Sequence, residues 1–485
     1  MSDNQNSQFA KPKLAASSLG VAHIVFFVVA AAAPMAAVVG ATPPAFAFGN
    51  IGVPGAFLLV GLLYLIFSAG FTAMARHVSS AGGFYAYISK GLGRPFGIAG
   101  AFLAIVTYFA IQIGVYAQVG VFARAALEPF GIGLPWWFWS LLVLTAVLWC
   151  GQRHIVFSGR LLGICMIAEL LILALFAIGV VLIGGGDGGL TAAGLQPSDV
   201  FAPGLGITLI FVVSAFIGFE ATAIFGEEAA NPDRAIPRAT VAAVTIITVF
   251  YAFVSWAVIQ YYGSSVVAAK ASESMENFYI SAVAGVLGGW SAVTVNILLL
   301  TSLFACLLSF HNTLNRYIYA LGRDGLLWTG LSRVHTANAS PHVAGRVQSV
   351  LVAAVLVGFS LIGADPYAVV YAWTLAFAGI GILAVQVLVS ISILAFFRTE
   401  RRGFSTMRVV VAPIASGIAL AAAFVQVSMN LPLLTGSESP IVASFPASVI
   451  LIAVAGILIA LYIRRTNPAL YDRLDRTFAE ATAET

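Results

Sequence analysis

Phe211-Val-Val-Ser-Ala-Phe-Ile-Gly218-Phe-Glu220-Ala-Thr-Ala-Ile-Phe-Gly226 is an apolar run with a glycine and a carboxylate set midway along it. A second run, Val25-Phe-Phe-Val-Val-Ala-Ala-Ala-Ala-Pro34-Met-Ala-Ala-Val-Val-Gly40, carries a proline at a similar depth. Pro34 has no N–H, and its ring crowds the carbonyl four residues back, so a helix kinks or stops there. Taken singly, either run reads as an ordinary kink, because Pro and Gly are common in membrane helices. Two interruptions, one beside an apolar-embedded carboxylate, point instead to a site. Broken helices leave peptide groups free at mid-depth, where half-helix ends hold the charged groups of a solute.

The rest of the chain fits that setting. Of its 485 residues 60% are hydrophobic and 9% charged, with a mean hydropathy of +0.99. A soluble domain carries about 25% charged residues to solvate its surface. The few charges cluster between apolar runs of about 18–25 residues, the length that lets a helix cross hydrocarbon. A closed barrel would show segments of about 10 residues alternating apolar and polar, and the sequence has no such pattern. The fold class is therefore all-α integral membrane. Cys150, Cys165 and Cys306 all fall inside apolar runs, without disulfide or metal spacing. The stretch from Met1 to Lys13 is polar, and the first long apolar run is read as the first span rather than a leader.

Cutting at charges and Pro/Gly clusters gives twelve candidate spans: 19–47, 52–75, 97–126, 136–151, 157–184, 203–225, 237–262, 290–320, 346–363, 367–396, 408–430 and 443–463. Segments 78–95 and 270–288 are too polar to cross lipid and read as short helices near the two faces. With the N-terminus inside, all of the 23 basic residues except Arg124 and Lys270 fall on the cytoplasmic side. Both termini are expected there, in the inner membrane. The net charge of +4 follows from this topology and implies no nucleic-acid partner.

The interrupted runs are the first and sixth spans, an offset of five, which is where an inverted five-plus-five repeat puts its two discontinuous helices. After the sixth span comes Gly218-Phe-Glu220, then Glu227-Glu228-Ala-Ala-Asn231-Pro232-Asp-Arg234-Ala-Ile236-Pro237-Arg238-Ala. This resembles the signature of the amino acid–polyamine–organocation (APC) permeases. Ser80-Ala-Gly-Gly-Phe-Tyr-Ala-Tyr87 and His311-Asn312 with Arg316-Tyr317 and Ala320-Leu-Gly-Arg323-Asp-Gly325 are similar to the same family. The resemblance covers nearly the whole chain. It implies a LeuT-type fold with helices 1 and 6 discontinuous. The parts would be a tail (1–18), a ten-helix transport core (19–396), two peripheral helices (397–465) and a second tail (466–485). It also implies alternating access and transport of an amino acid or related amine, by uptake or exchange. A monomer or homodimer is expected.

The resemblance further implies substrate among helices 1, 3, 6, 8 and 10. On helix 1 the backbone of Ala31, Ala32, Ala33, Met35 and Ala36 would receive a carboxylate, in a stretch where the family is commonly glycine-rich. On helix 6 Ser214, Phe216, Ile217, Gly218 and Phe219 would face the amino group, with Phe219 also a gate. Glu220 matches an acidic family position and suggests gating or coupling. Tyr108, Gln112 and Tyr116 repeat at four-residue intervals as a polar stripe, equally readable as substrate contacts or as a hydrogen-bond seam. Trp373, with Tyr371, is an outer-gate candidate. Glu227, Glu228 and Arg234 are inner-gate candidates, with a solvated loop as the bland reading.

Helix 5 carries Glu169 where the family often has a lysine in place of a sodium ion. A carboxyl group in a dry setting is a proton carrier, so H+ coupling through Glu169 and Glu220 is favoured. The alternative is Na+ held by Glu169 with Thr301 or Ser302. An enzyme is not expected: the six histidines lack ligand spacing and no phosphate loop is present, so no metal or other cofactor is implied. A filter motif for a channel is also missing. A receptor that binds without transporting remains a separate class, which flux measurements distinguish.

Overall fold

In lipid every backbone N–H and C=O must pair within its own segment, so apolar runs become helices. A computed structural model of the chain describes residues 20–78, 83–152, 155–186, 188–220, 222, 229, 231–335, 340–472 and 474, and each regular element among them is a helix. In chain order the principal helices begin with α1 (Val21–Ala32), α2 (Val53–Ala75), α3 (Arg94–Leu127), α4 (Trp136–Gly151), α5 (Ile155–Leu182) and α6 (Leu205–Ser214). They continue with α7 (Pro232–Tyr262), α8 (Trp290–Arg323), α9 (His342–Leu361), α10 (Pro366–Phe396), α11 (Met407–Met429) and α12 (Phe445–Thr466). Among the described residues nine helices are long and apolar enough to cross a membrane: α2, α3, α5 and α7 to α12. α1, α4 and α6 are shorter apolar helices.

Burial separates a centre from a rim. In the most apolar stretch of α3, 72% of residues are buried, against 17% in α12. α3 is therefore an axis of the bundle and α12 lies on its outside. α2 and α7 run closely together, since a Cβ at Gly61 would stand 2.0 Å from the Thr248 hydroxyl oxygen. Only a residue without a side chain allows that approach. Residues 84–92 do form a short helix, Phe84–Leu92, but it is packed inside, with Phe84, Tyr85, Tyr87 and Ile88 buried between α3 and α10. The second short segment resolves into two helices, Val267–Glu273 and Phe278–Leu287. α7 starts at Pro232, five residues before the expected boundary, because a proline at the first helical position gives up an N–H that has no partner anyway. Pro237 then sits inside α7 rather than in its first turn.

The first interruption is narrow. α1 ends at Ala33, which takes a left-handed conformation (φ 45°, ψ 74°) and donates its N–H to the Val29 and Ala30 carbonyls. The helix resumes at Pro34 and continues through the apolar stretch Ala36–Gly49. Pro34 breaks the run through its predecessor, since a residue before proline is pushed out of the helical region. A left-handed alanine costs about 1 kcal/mol or more, while its buried methyl group returns about 0.8 kcal/mol. Ala33→Gly is thus expected to leave thermal stability within about 1 kcal/mol of the parent. Ala33→Val, β-branched in a left-handed position, should lower it by about 2 kcal/mol, measured by thermal unfolding in detergent.

Candidate transport site

The second interruption lies where α6 stops at Ser214. Residues 215–220 turn instead of spiralling, and Gly218 has φ 112°, a region that only glycine enters freely. The chain's own carboxylate organises this turn. Glu220 accepts the Gly218 N–H at 3.0 Å and the Tyr108 hydroxyl of α3 at 2.5 Å. It is 2% exposed. Phe216 and Phe219 face away from the turn toward α2, packing on Tyr64 at ring distances of 5.1 and 4.8 Å.

The first interruption also has a buried carboxylate beside it. Glu169 of α5, also 2% exposed, lies near the backbone N–H of Met35, just past the break, and near Ser302 of α8, whose hydroxyl has no hydrogen-bond partner among the described residues. The Tyr251 hydroxyl of α7 donates to the Ala32 carbonyl at 3.1 Å. Each break therefore has a buried carboxylate beside it, and at the second that carboxylate holds an amide, that of Gly218. Among the described residues, neither carboxylate has an ion-pair partner.

Between the two breaks is a cavity. Ala32, Ala33, Ala36, Ala37 and Ala41 form one wall, and Ser214, Ala215 and Ile217 form another. α3 contributes Ile111, Val115 and Gln118; α8 contributes Cys306 and Phe310; α10 contributes Tyr371 and Leu375. Among the described residues the lining carries no charged side chain. Two buried polar atoms in it have no hydrogen-bond partner among the described residues: Gln118 Nε2, which lies near the Tyr371 hydroxyl, and Ser214 Oγ. Toward one end of the cavity the Tyr367 hydroxyl donates to the Gly40 carbonyl at 2.9 Å, tying α10 to the first span. Tyr108, which holds Glu220, packs on Phe310 of the lining at a ring distance of 5.9 Å.

Of the residues singled out from sequence, Ala32, Ala33, Ala36, Ser214 and Ile217 line the cavity. Ala31 is in α1 beside them. Met35, Tyr108, Gly218 and Glu220 are just outside the lining, joined through the two carboxylate contacts, while Phe216 and Phe219 are in the aromatic cluster on α2. Gln112 is buried beside Tyr116 and away from the lining. Thr301 turns its hydroxyl back to the Leu298 carbonyl at 2.9 Å, so of the α8 pair Ser302 faces Glu169. Trp373 is half-buried on α10 outside the lining, whereas Tyr371 is within it. Arg234 is exposed near the start of α7, and Glu227 and Glu228 lie outside the described residues. Sequence reasoning missed Gln118, Val115 and Ile111. The signal was present, since 111, 115 and 118 share one helical face, rotated by about a quarter of a turn from the polar stripe at 108, 112 and 116.

The family model described as "Amino acid permease" matches residues 23–469. The branched-chain amino acid permease BcaP of Lactococcus lactis is 25% identical over 64% of this chain and 69% of its own. The serine/threonine exchanger SteT of Bacillus subtilis is 23% identical over 60% of this chain and 64% of its own. The low-affinity putrescine importer PlaP of Escherichia coli is 23% identical over 57% of this chain and 60% of its own.

Proposed function

The chain belongs to the amino acid permease family of the APC superfamily and is a multi-pass membrane protein, and we propose that it carries a neutral amino acid with a largely apolar side chain across the inner membrane by alternating access. The observation that carries this reading is the cavity between the breaks, apolar apart from Gln118, Ser214, Cys306 and Tyr371. The C-terminal end of α6 favours a cation and the N-terminal end of the helix resuming at Pro34 favours an anion. A zwitterion meets both. A diamine would need carboxylates facing the cavity, and the two nearby ones are turned to Met35, Gly218 and Tyr108. That observation favours an amino acid over the polyamine class.

The architecture we propose is twelve transmembrane helices. α1 to α10 (residues 19–396) form an inverted five-plus-five, LeuT-type core, with α11 and α12 (397–465) peripheral and both termini cytoplasmic. Support comes from the breaks five helices apart, from the close pairing of α2 with α7, which the repeat relates, and from the exposure of α12. For coupling we propose H+ through Glu169. A hard cation wants about six oxygen ligands. Around Glu169, Ser302 offers one, while Met35 presents an N–H and the Thr301 hydroxyl is bonded elsewhere. This favours H+ over Na+, and symport over antiport remains the reading to test.

A thermal-shift screen of amino acids and amines on the purified protein tests the substrate class, since a ligand stabilises by mass action whatever drives transport. Neutral apolar amino acids should raise the melting temperature and putrescine should not. The reverse result would replace the amino-acid reading, and binding without proteoliposome flux would mark a receptor. Gln118 gives a sharper check. Its unused donor is expected to bond the substrate, so Gln118→Leu should weaken binding of the best ligand by about tenfold; an unchanged affinity would remove Gln118 from the site.

A further inference from the structure

One end of the bundle carries a feature that transport does not use. Arg76 follows α2, Arg398, Arg401 and Arg402 lie between α10 and α11, and Arg408 is in the first turn of α11. Three of them lie on an aromatic shelf. The Arg402 guanidinium lies 4.5 Å from the Phe396 ring centre, and Arg76 and Arg408 lie 5.6 and 4.9 Å from that of Phe404. His77 fills the middle, with Phe396, Phe397 and Phe404 about its ring. Burial, and then the Arg402 charge, hold the His77 imidazole below its ordinary range, so the arginines supply the cationic charge.

Three hydrogen bonds fix part of this cluster. Arg408 donates through Nε to the Ala69 carbonyl at 2.9 Å and through Nη2 to Thr72 Oγ1 at 3.0 Å. Arg401 donates to Thr406 Oγ1 at 2.6 Å. Arg76, Arg398, Arg401 and Arg402 are exposed. Against them the connecting loop sets one carboxylate, Glu400, and Asp233 of α7 is also near His77. A guanidinium lying on a ring keeps its N–H edge for a phosphate and has already lost water from one face.

The apolar surface beside the cluster identifies the phosphate. Met407, Val411, Ile414 and Ile418 of α11 are 67, 46, 44 and 67% exposed and follow one another at helical spacing away from the arginines. A free anion has no use for that stripe. An acyl chain does.

We propose that the junction of α2, α10 and α11 is a binding site for an anionic phospholipid, with its phosphate among Arg76, Arg401 and Arg402 and one acyl chain along Met407 to Ile418. The general excess of basic residues at one membrane face is the competing explanation, and it predicts no preference for this junction over other arginines. Arg464 and Arg465 at the end of α12 are exposed and, among the described residues, stack on no ring. They provide the control.

The test uses the full-length protein in neutral detergent, with lipid retention read by native mass spectrometry after mixing with phosphatidylcholine vesicles with or without phosphatidylglycerol. The parent should retain phosphatidylglycerol in preference to phosphatidylcholine. Arg401→Gln/Arg402→Gln should lower that retention by about fivefold for each charge removed, with unchanged elution on gel filtration. Arg464→Gln/Arg465→Gln should leave it as in the parent. Equal losses in the two double variants would reduce the site to diffuse charge and overturn the proposal. Displacement of the lipid by inorganic phosphate at comparable concentration would also overturn it, since the anion alone would then be the ligand. If the first double variant elutes as aggregate, Arg402→Gln alone carries the same expectation.

Discussion

Replacing Glu169 by glutamine is expected to abolish accumulation driven by a proton gradient and to leave substrate exchange in place. Glutamine keeps the shape of the side chain and one acceptor oxygen, so an acceptor stays near the Met35 amide at the first break. It cannot take up and release a proton. The fold should lose about 1 kcal/mol, the size of one weakened hydrogen bond. In proteoliposomes this separates two readouts: net uptake under an imposed pH gradient falls to the level of empty vesicles, while counterflow of labelled against unlabelled substrate continues. The split is what a coupling group predicts, because exchange returns the carrier loaded and needs no net proton movement. Uptake by Glu169→Gln at the parental level under the same gradient would move the coupling elsewhere. A parent driven by a sodium gradient alone would assign the Glu169–Ser302 pair to Na+. Loss of counterflow together with uptake would make Glu169 a structural group instead.

How much of this was readable in the sequence follows from what periodicity and composition carry. The apolar runs were readable because hydrocarbon thickness fixes helix length, and the long helices α2, α3, α5 and α7 to α12 fall on predicted spans with ends shifted by a few residues. The shifts have local causes, such as Pro232 opening α7 and Pro95 in the first turn of α3. The first break was readable as a proline effect, but its width was not: Ala33 alone leaves the helix, where a longer unwound stretch from Ala31 to Ala36 was expected. Which face of α3 meets the cavity was not readable either. A helix apolar on most sides has no dominant stripe to orient it, so the eye goes to its polar residues. Tyr108, Gln112 and Tyr116 are those residues, and Tyr108 is spoken for by Glu220. The approach of Glu169 to the first break could not be inferred from spacing, because it brings together residues 134 positions apart, and the bond from Gly218 to Glu220 depends on the turn that Gly218 makes at φ 112°.

Glu220→Gln should differ from Glu169→Gln by stopping exchange as well as uptake. The Glu220 carboxylate accepts from two donors that come from different elements, the Tyr108 hydroxyl of α3 and the Gly218 N–H in the turn after α6. A glutamine has one acceptor oxygen; with that oxygen on Gly218 its amide NH2 can donate to the Tyr108 oxygen, which leaves the Tyr108 O–H proton without an acceptor. One buried donor then loses its partner, at a cost of about 1–3 kcal/mol, in a turn whose shape depends on that bond. Tyr108→Phe removes the hydroxyl and leaves the carboxylate its Gly218 contact, so a smaller loss of about 1 kcal/mol is expected. The double variant decides whether the two act through one another. With phenylalanine at 108, the glutamine at 220 is free to turn its oxygen to Gly218, so the combined loss should fall short of the sum of the single losses by about 1 kcal/mol. Thermal unfolding in detergent gives the stability cycle and counterflow gives the functional one. Strict additivity in both would show that Tyr108 and Glu220 contribute separately. Parental counterflow in Glu220→Gln would mean that the substrate crosses without this tie between α3 and the second break.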